Sequence, residues 1–190
     1  MILEIVKYGH PALRQTGAPI TEITPEIKKF IQDMLDTMYE HHGVGLAAQQ
    51  VAKALQVTVI DVRAATDRPS SMEIDGQPVD VDKYMPIVLI NPVIMPVGKP
   101  VPGPEGCLSF PEIYTDITRP ETVDVTAMNA DGQTLQFRCG GLLARAAQHE
   151  TDHLHGILFI DRMSKAVKES FRPELDDLQA ETKEKLAAKR

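Results

Sequence analysis

Residues 140–156 read GGLLARAAQHETDHLHG. The spacing predicts a helix over 142–155, closed by Gly156 at the place where a left-handed residue ends a helix. At 3.6 residues per turn, His149 and His153 lie one turn apart on one face, so both imidazoles reach a common ion. Glu150 is turned aside by about 100° and stays beside that ion as a free base. Ala146 and Leu142 continue the face of His149 and add a small apolar floor. Working outward, Val123, Val125 and Ala127 alternate, Asn129-Ala130-Asp131-Gly132 marks a turn, and Leu135 and Phe137 alternate again, which predicts a hairpin feeding this helix.

Further upstream, Thr24 and Pro25 form a helix start, and Ile27, Phe30, Ile31, Met34, Leu35 and Met38 recur at three- and four-residue spacing up to Gly43. A short strand-like start precedes this helix. Residues 56–62 (QVTVIDV) and 86–91 (PIVLIN) read as strands, being short and rich in β-branched residues. The polar, acidic stretch 64–85 between them reads as a surface insertion. From Lys165 on, the chain is charged and helical in pattern, interrupted by Pro173. Strands and helices without strict alternation predict an α+β fold. Largely antiparallel sheets would pack around a central helix carrying the QHExDH motif, with a C-terminal helix added. Residues 1–164 form the predicted catalytic domain and 165–190 a tail of the same domain.

Composition narrows the function classes. The 190 residues are 43% apolar and 25% charged, with 14 Pro and 12 Gly, which supports a loop-rich globular core rather than a helical bundle. No apolar run is long enough for a membrane span. A net charge of −7 argues against a dedicated DNA binder, which needs a cationic face. The first residues lack the pattern of a secretory signal, so a cytoplasmic protein is expected. Two cysteines, Cys107 and Cys139, need no disulfide in a reducing compartment.

Two imidazoles do not complete a catalytic site for a divalent ion, which generally takes three protein ligands and keeps a position open for water. Cys107, in the glycine-flanked run EGCLS at 105–109, is the best third ligand; Cys139 reads as an ordinary strand-end residue. A third segment, GVGLAAQQ at 43–50, is small and apolar enough to lie against a ligand and offer backbone groups to it. Two other classes compete at this point. One is a peptidase of the HExxH type, with Asp161 or Glu169 as downstream ligand; the other is a metal-stabilised binding module without catalysis.

Together these segments resemble the peptide deformylase family, whose three ordered motifs are GxGLAAxQ, EGCLS and QHExDH. The flanks HPxLR at 10–14, GLLA at 141–144 and LxGxLFxDxxS at 154–164 agree, so the likeness spans residues 2–164. It implies a metal-dependent amide hydrolase that removes the formyl group from N-terminal formylmethionine of nascent proteins and releases formate. Cys107, His149 and His153 would bind Fe2+, with Ni2+, Co2+ or Zn2+ able to substitute, and the nucleophile would be the hydroxide that such an ion generates from water. Glu150 would be the general acid and base, while the Gln50 side chain and the Leu108 backbone N–H would stabilise the oxyanion. The likeness further implies that backbone groups around Gly43, Val44, Gly45 and Gly106 hold the extended peptide. Leu142, Ala146, Val44 and the carbon stem of Arg145 would border a methionine pocket. Phe110 and Tyr114 depart from the family pattern, which often has an aliphatic residue and an arginine there. A ribosomal contact through Lys183, Lys185, Lys189 and Arg190 is the functional alternative to a solvated tail.

Overall fold

Thr24 accepts the Ile27 N–H through its hydroxyl (3.2 Å) and Pro25 occupies the first turn, so α1 (Pro25–Glu40) starts where the capping residues require. Its buried stripe of Ile31, Met34, Leu35 and Met38 packs on Leu46, Val57, Val59 and Ile90. The structure, a computed structural model, describes residues 1–189; Arg190 of the basic end lies outside them.

Among the described residues nine strands follow: β1 (Gly45–Ala47), β2 (Val57–Ile60), β3 (Ser70–Ile74), β4 (Gln77–Val79), β5 (Ile87–Pro96), β6 (Pro100–Cys107), β7 (Phe110–Pro120), β8 (Thr122–Met128) and β9 (Thr134–Gly140). Seven form one antiparallel sheet in the order β1-β2-β5-β8-β9-β3-β4, and β6 with β7 forms a separate ribbon. The predicted hairpin is β8–β9, with Val123 opposite Cys139 and Val125 opposite Phe137.

The helix α2 (Gly141–Leu154) lies in the middle. Only Gly141 and Asp152 escape burial, because the sheet, the ribbon and the β1 segment surround it. Leu143, Ala144 and Ala147 pack on Ile60, Leu89, Val123, Val125 and Phe137. A third cluster, of Leu13, Phe110, Ile117, Leu158, Phe159 and Leu175, joins the ribbon to the C-terminal helix α4 (Arg172–Ala188), which follows the short α3 (Lys165–Ser170). Pro173 sits in the first turn of α4, so it begins a second helix rather than kinking one. No described helix is long and apolar enough to cross a membrane.

Three expectations change. The stretch 64–85 is no surface insertion: β3 pairs with β9, Met72 is buried, and Asp75 and Gly76 (φ 52° and 73°) make the tight turn into β4. The first residues form no strand but an extended strap tied by single hydrogen bonds to other parts of the chain. The strand predicted at 86–91 runs on to Pro96 through a bulge beside Asn91, whose φ is 51°.

Candidate active site

Both ends of α2 are fixed by glycines that no other residue could replace without strain. Gly141 has φ +65°, and a Cβ there would stand 2.2 Å from the Pro69 carbonyl oxygen. The adjoining N–H groups are satisfied from the β3 segment: Leu142 donates to Pro69 O (3.0 Å) and Leu143 to Ser70 Oγ (3.0 Å). At the other end Gly156 has φ +71°, and a Cβ there would stand 2.6 Å from the Arg14 carbonyl oxygen.

This helix delivers His149 and His153 with ring centroids 5.1 Å apart. Cys107, at the end of β6, brings its Sγ to 3.4 Å from His153 Nε2, and the three ligand atoms lie within 4.8 Å of one another. No further Cys, His or carboxylate belongs to that group among the described residues. Cys139 is deep in β9 facing Met72 and Val123; Asp161 is engaged by Arg14 and the Leu158 N–H; Glu169 pairs with Arg172 on the surface. A closed four-ligand cage and a downstream peptidase ligand both lack residues. One thiolate and two imidazoles suit zinc and the late first-row divalent ions, and with three ligands a position stays open for water.

Glu150 lies beside this group with Oε2 buried and without a partner, while Gly45 presses on the other oxygen: a Cβ at Gly45 would stand 2.5 Å from Oε1. Burial pushes the Glu150 carboxyl up to about 7; His149 pulls it down and Glu105 pushes it further up. An unpaired carboxylate poised near neutrality is suited to receiving and returning a proton. The segment expected as a loop is β1 followed by a 3-10 turn, Ala48–Val51. Within it Gln50 accepts the Ala47 N–H through Oε1 (2.9 Å), which aims Nε2 at Cys107 Sγ (3.5 Å) and Ser109 Oγ (3.4 Å).

The residues expected around a substrate surround the same place. A Cβ on Gly43 would stand 2.9 Å from Leu108 Cδ1, so the two loops face each other closely. Gly106 is covered by the ring of the exposed Tyr114, whose carbons would stand 2.4 and 2.5 Å from a Cβ there. Phe110 is buried between Tyr8 and Phe159 and takes no part. Leu142 and Ala146 are buried on α2. Arg145 does more than lend a carbon stem: its guanidinium lies on Gly103 and donates to Glu105 Oε2 (2.8 Å), Ile117 O (2.6 Å) and Val101 O (3.1 Å).

That arginine leads to residues the sequence reading left without a role. Glu105 accepts His149 Nδ1 (2.8 Å), which leaves Nε2 free for an ion, and accepts Arg119 through both oxygens (2.6 and 3.0 Å). Burial works against this carboxylate, but the bonds from His149 and Arg119 hold it down at about 2. Arg119 continues to Asp152 (2.9 Å), and Asp152 to Arg162 (2.8 Å). A signal existed for Glu105: a ligating imidazole needs an acceptor on its second nitrogen, and a glutamate stands two residues before the thiolate.

Known proteins resemble this chain in sequence and in fold. The profile of the family described as Polypeptide deformylase matches residues 2–169. A peptide deformylase of Methylacidiphilum infernorum is 43% identical over 178 residues, covering 94% of this chain and 93% of that one. The crystal structure of a peptide deformylase from Legionella pneumophila superposes with a TM-score of 0.78 at 34% identity, covering 100% and 99% of the two chains. That of Arabidopsis thaliana peptide deformylase 1B in complex with an inhibitor gives 0.82 at 38% identity, covering 96% and 93%. With the family's three motifs converging on one cluster of ligands, and with relatives aligned over nearly their whole length, the chain belongs to the polypeptide deformylase family.

Proposed function

We propose that Cys107, His149 and His153 hold a divalent cation at which this protein carries out the family's reaction, hydrolysis of the formyl amide of N-formylmethionyl peptides. The observation that carries the assignment is the meeting of three ligand atoms within 4.8 Å beside a buried Glu150 oxygen that has no partner. When bound, such a cation supplies Lewis acidity and lowers the pKa of a water toward about 7. Glu150 takes the water proton and returns it to the amine nitrogen as the formyl C–N bond breaks, leaving formate and a free methionyl amine. Gln50 Nε2 and the Leu108 N–H donate to the oxygen on which negative charge grows. Such a donor contributes about 3 to 4 kcal/mol.

The peptide runs along Gly43, Val44 and Gly45 on one side and Gly106 on the other. Its methionine lies over Leu142, Ala146 and the Arg145 stem, the Arg145 charge being taken up by Glu105. Iron(II) is the ion proposed for the cell, with Ni2+, Co2+ and Zn2+ as substitutes. Affinity order at an N/S site favours the later metals, so supply decides occupancy. Cys107 as a ligand and Cys139 as a buried free thiol suit the reducing cytoplasm. The basic end of α4 is proposed as solvated surface rather than a ribosomal contact.

The test is formate release from formyl-Met-Ala-Ser by anaerobically purified protein. Glu150→Ala retains its metal and loses at least about two orders of magnitude in rate. Cys107→Ala loses the metal. A Glu150→Ala protein as fast as wild type would overturn the assignment.

A further inference from the structure

Three successive residues of the N-terminal strap join the two sides of the site. The Val6 N–H donates to Gln50 O (2.9 Å) and the Tyr8 N–H to Ser109 O (3.0 Å). Between them the Lys7 ammonium donates to Leu108 O at 2.6 Å. The first bond fastens the turn that presents Gln50; the other two fasten the turn that presents Leu108. Lys7 is half-buried, and among the described residues no carboxylate lies within ion-pair distance of it. A lysine that gives up solvent ordinarily gains such a partner. Burial lowers the affinity of this amine for its proton. The ammonium thus sits at one carbonyl, that of the residue following Cys107.

We propose that Lys7 is a positioning residue of the hydrolytic site: its ammonium fixes the Leu108 carbonyl, and with it the direction of the neighbouring Leu108 N–H. This rests on the reading of Leu108 given above. The carbonyl and the N–H of Leu108 belong to successive peptide planes, so pinning one plane limits the rotation that would swing the other donor off the growing charge. A charged donor makes the stronger pin than a neutral one.

The experiment compares Lys7→Met, which keeps most of the stem, with Lys7→Arg, which keeps the charge, in protein loaded with one equivalent of Co2+. Lys7→Met is expected to bind Co2+ with unchanged stoichiometry. Its kcat on formyl-Met-Ala-Ser is expected to fall about tenfold or more, with KM changed less than about twofold. Lys7→Arg restores most of kcat. A Lys7→Met protein with wild-type kcat overturns the proposal, as does a folded Lys7→Arg protein as impaired as Lys7→Met. Should Lys7→Met not fold, Lys7→Gln against Lys7→Arg decides on the same kcat and KM. A wild type that releases no formate overturns the functional reading and this proposal with it, whereas an active wild type beside an unimpaired Lys7→Met overturns the proposal alone.

Discussion

Glu105 shows how much one side chain decides here. A carboxylate offers about four acceptor positions, and His149, Arg119 twice and Arg145 use them all. Glu105→Gln preserves shape but turns an amide N–H toward guanidinium donors, leaving buried Arg145 without an anion and Arg119 with Asp152 alone. The expected result is a loss of about 10- to 100-fold in Co2+ affinity, because the acceptor that orients His149 changes from a carboxylate to a weaker, neutral amide oxygen. Stability should also drop by about 3 to 5 kcal/mol, as when one partner of a buried pair is removed. Metal competition titration and urea unfolding measure the two, and a variant unchanged in both would contradict the role given to this carboxylate. The two candidate histidine ligands were legible in the sequence, since spacing alone puts His149 and His153 on one face and leaves Glu150 free. The direction of the Arg145 guanidinium was not. It depends on the missing side chain of Gly103 on a different element, and a helix reading carries no information about that.

Elements place these residues, and here the sequence was readable in uneven measure. The α1 stripe, the β8–β9 hairpin and the extent of α2 follow from periodicity and caps, which are local. The β3–β4 hairpin was hidden by polar composition even though Asp75-Gly76 is a strong turn signal. Its value to the fold lies in pairing with β9, far along the chain. The β6–β7 ribbon was obscured by Pro100, Pro102 and Pro104. Their two-residue spacing puts every missing N–H on the edge facing away from β7, so the pairing survives. The hairpin also supplies the start of α2, through Pro69 O and Ser70 Oγ. Ser70→Ala should therefore cost about 1 kcal/mol, the worth of a side-chain cap at a helix start. It should not change the metal content, since the ligands lie two turns further on. Urea unfolding with metal analysis checks both, and a Ser70→Ala protein as stable as wild type would mean that water replaces the hydroxyl at no loss.

At the scale of the whole molecule, charge governs both stability and association. Asp161 accepts Arg14 and the Leu158 N–H; burial alone would raise its pKa, but these bonds lower it. A carboxylate with a depressed folded value stabilises the protein above its unfolded pKa of about 3.9, and that contribution is lost as pH falls through the folded value. The difference in urea midpoint between wild type and Asp161→Asn should therefore hold constant above about pH 5 and shrink below about pH 4. A difference that grew on acidification would reverse the sign of the linkage. Association follows the same logic. The chain carries a net −7, and along α4 the cations Arg172, Lys183 and Lys185 are interleaved with Glu174, Asp176, Asp177, Glu181 and Glu184. Beyond the helix, Lys189 is already held by Glu4 (2.9 Å). Binding to ribosomal RNA needs a contiguous cationic face that displaces counterions, and this helix has none. Truncation would be a poor test, because Leu175 and Thr182 are buried and their removal would disturb the core as well as the charge. Reversal of charge at Lys183 and Lys185 to Glu leaves that packing alone. The expected outcome is unchanged co-sedimentation with ribosomes at about 0.1 M salt, where long-range attraction between exposed charges is already screened beyond about 10 Å. A clear loss on reversal would show that these two lysines meet phosphate, and that the helix docks on the ribosome.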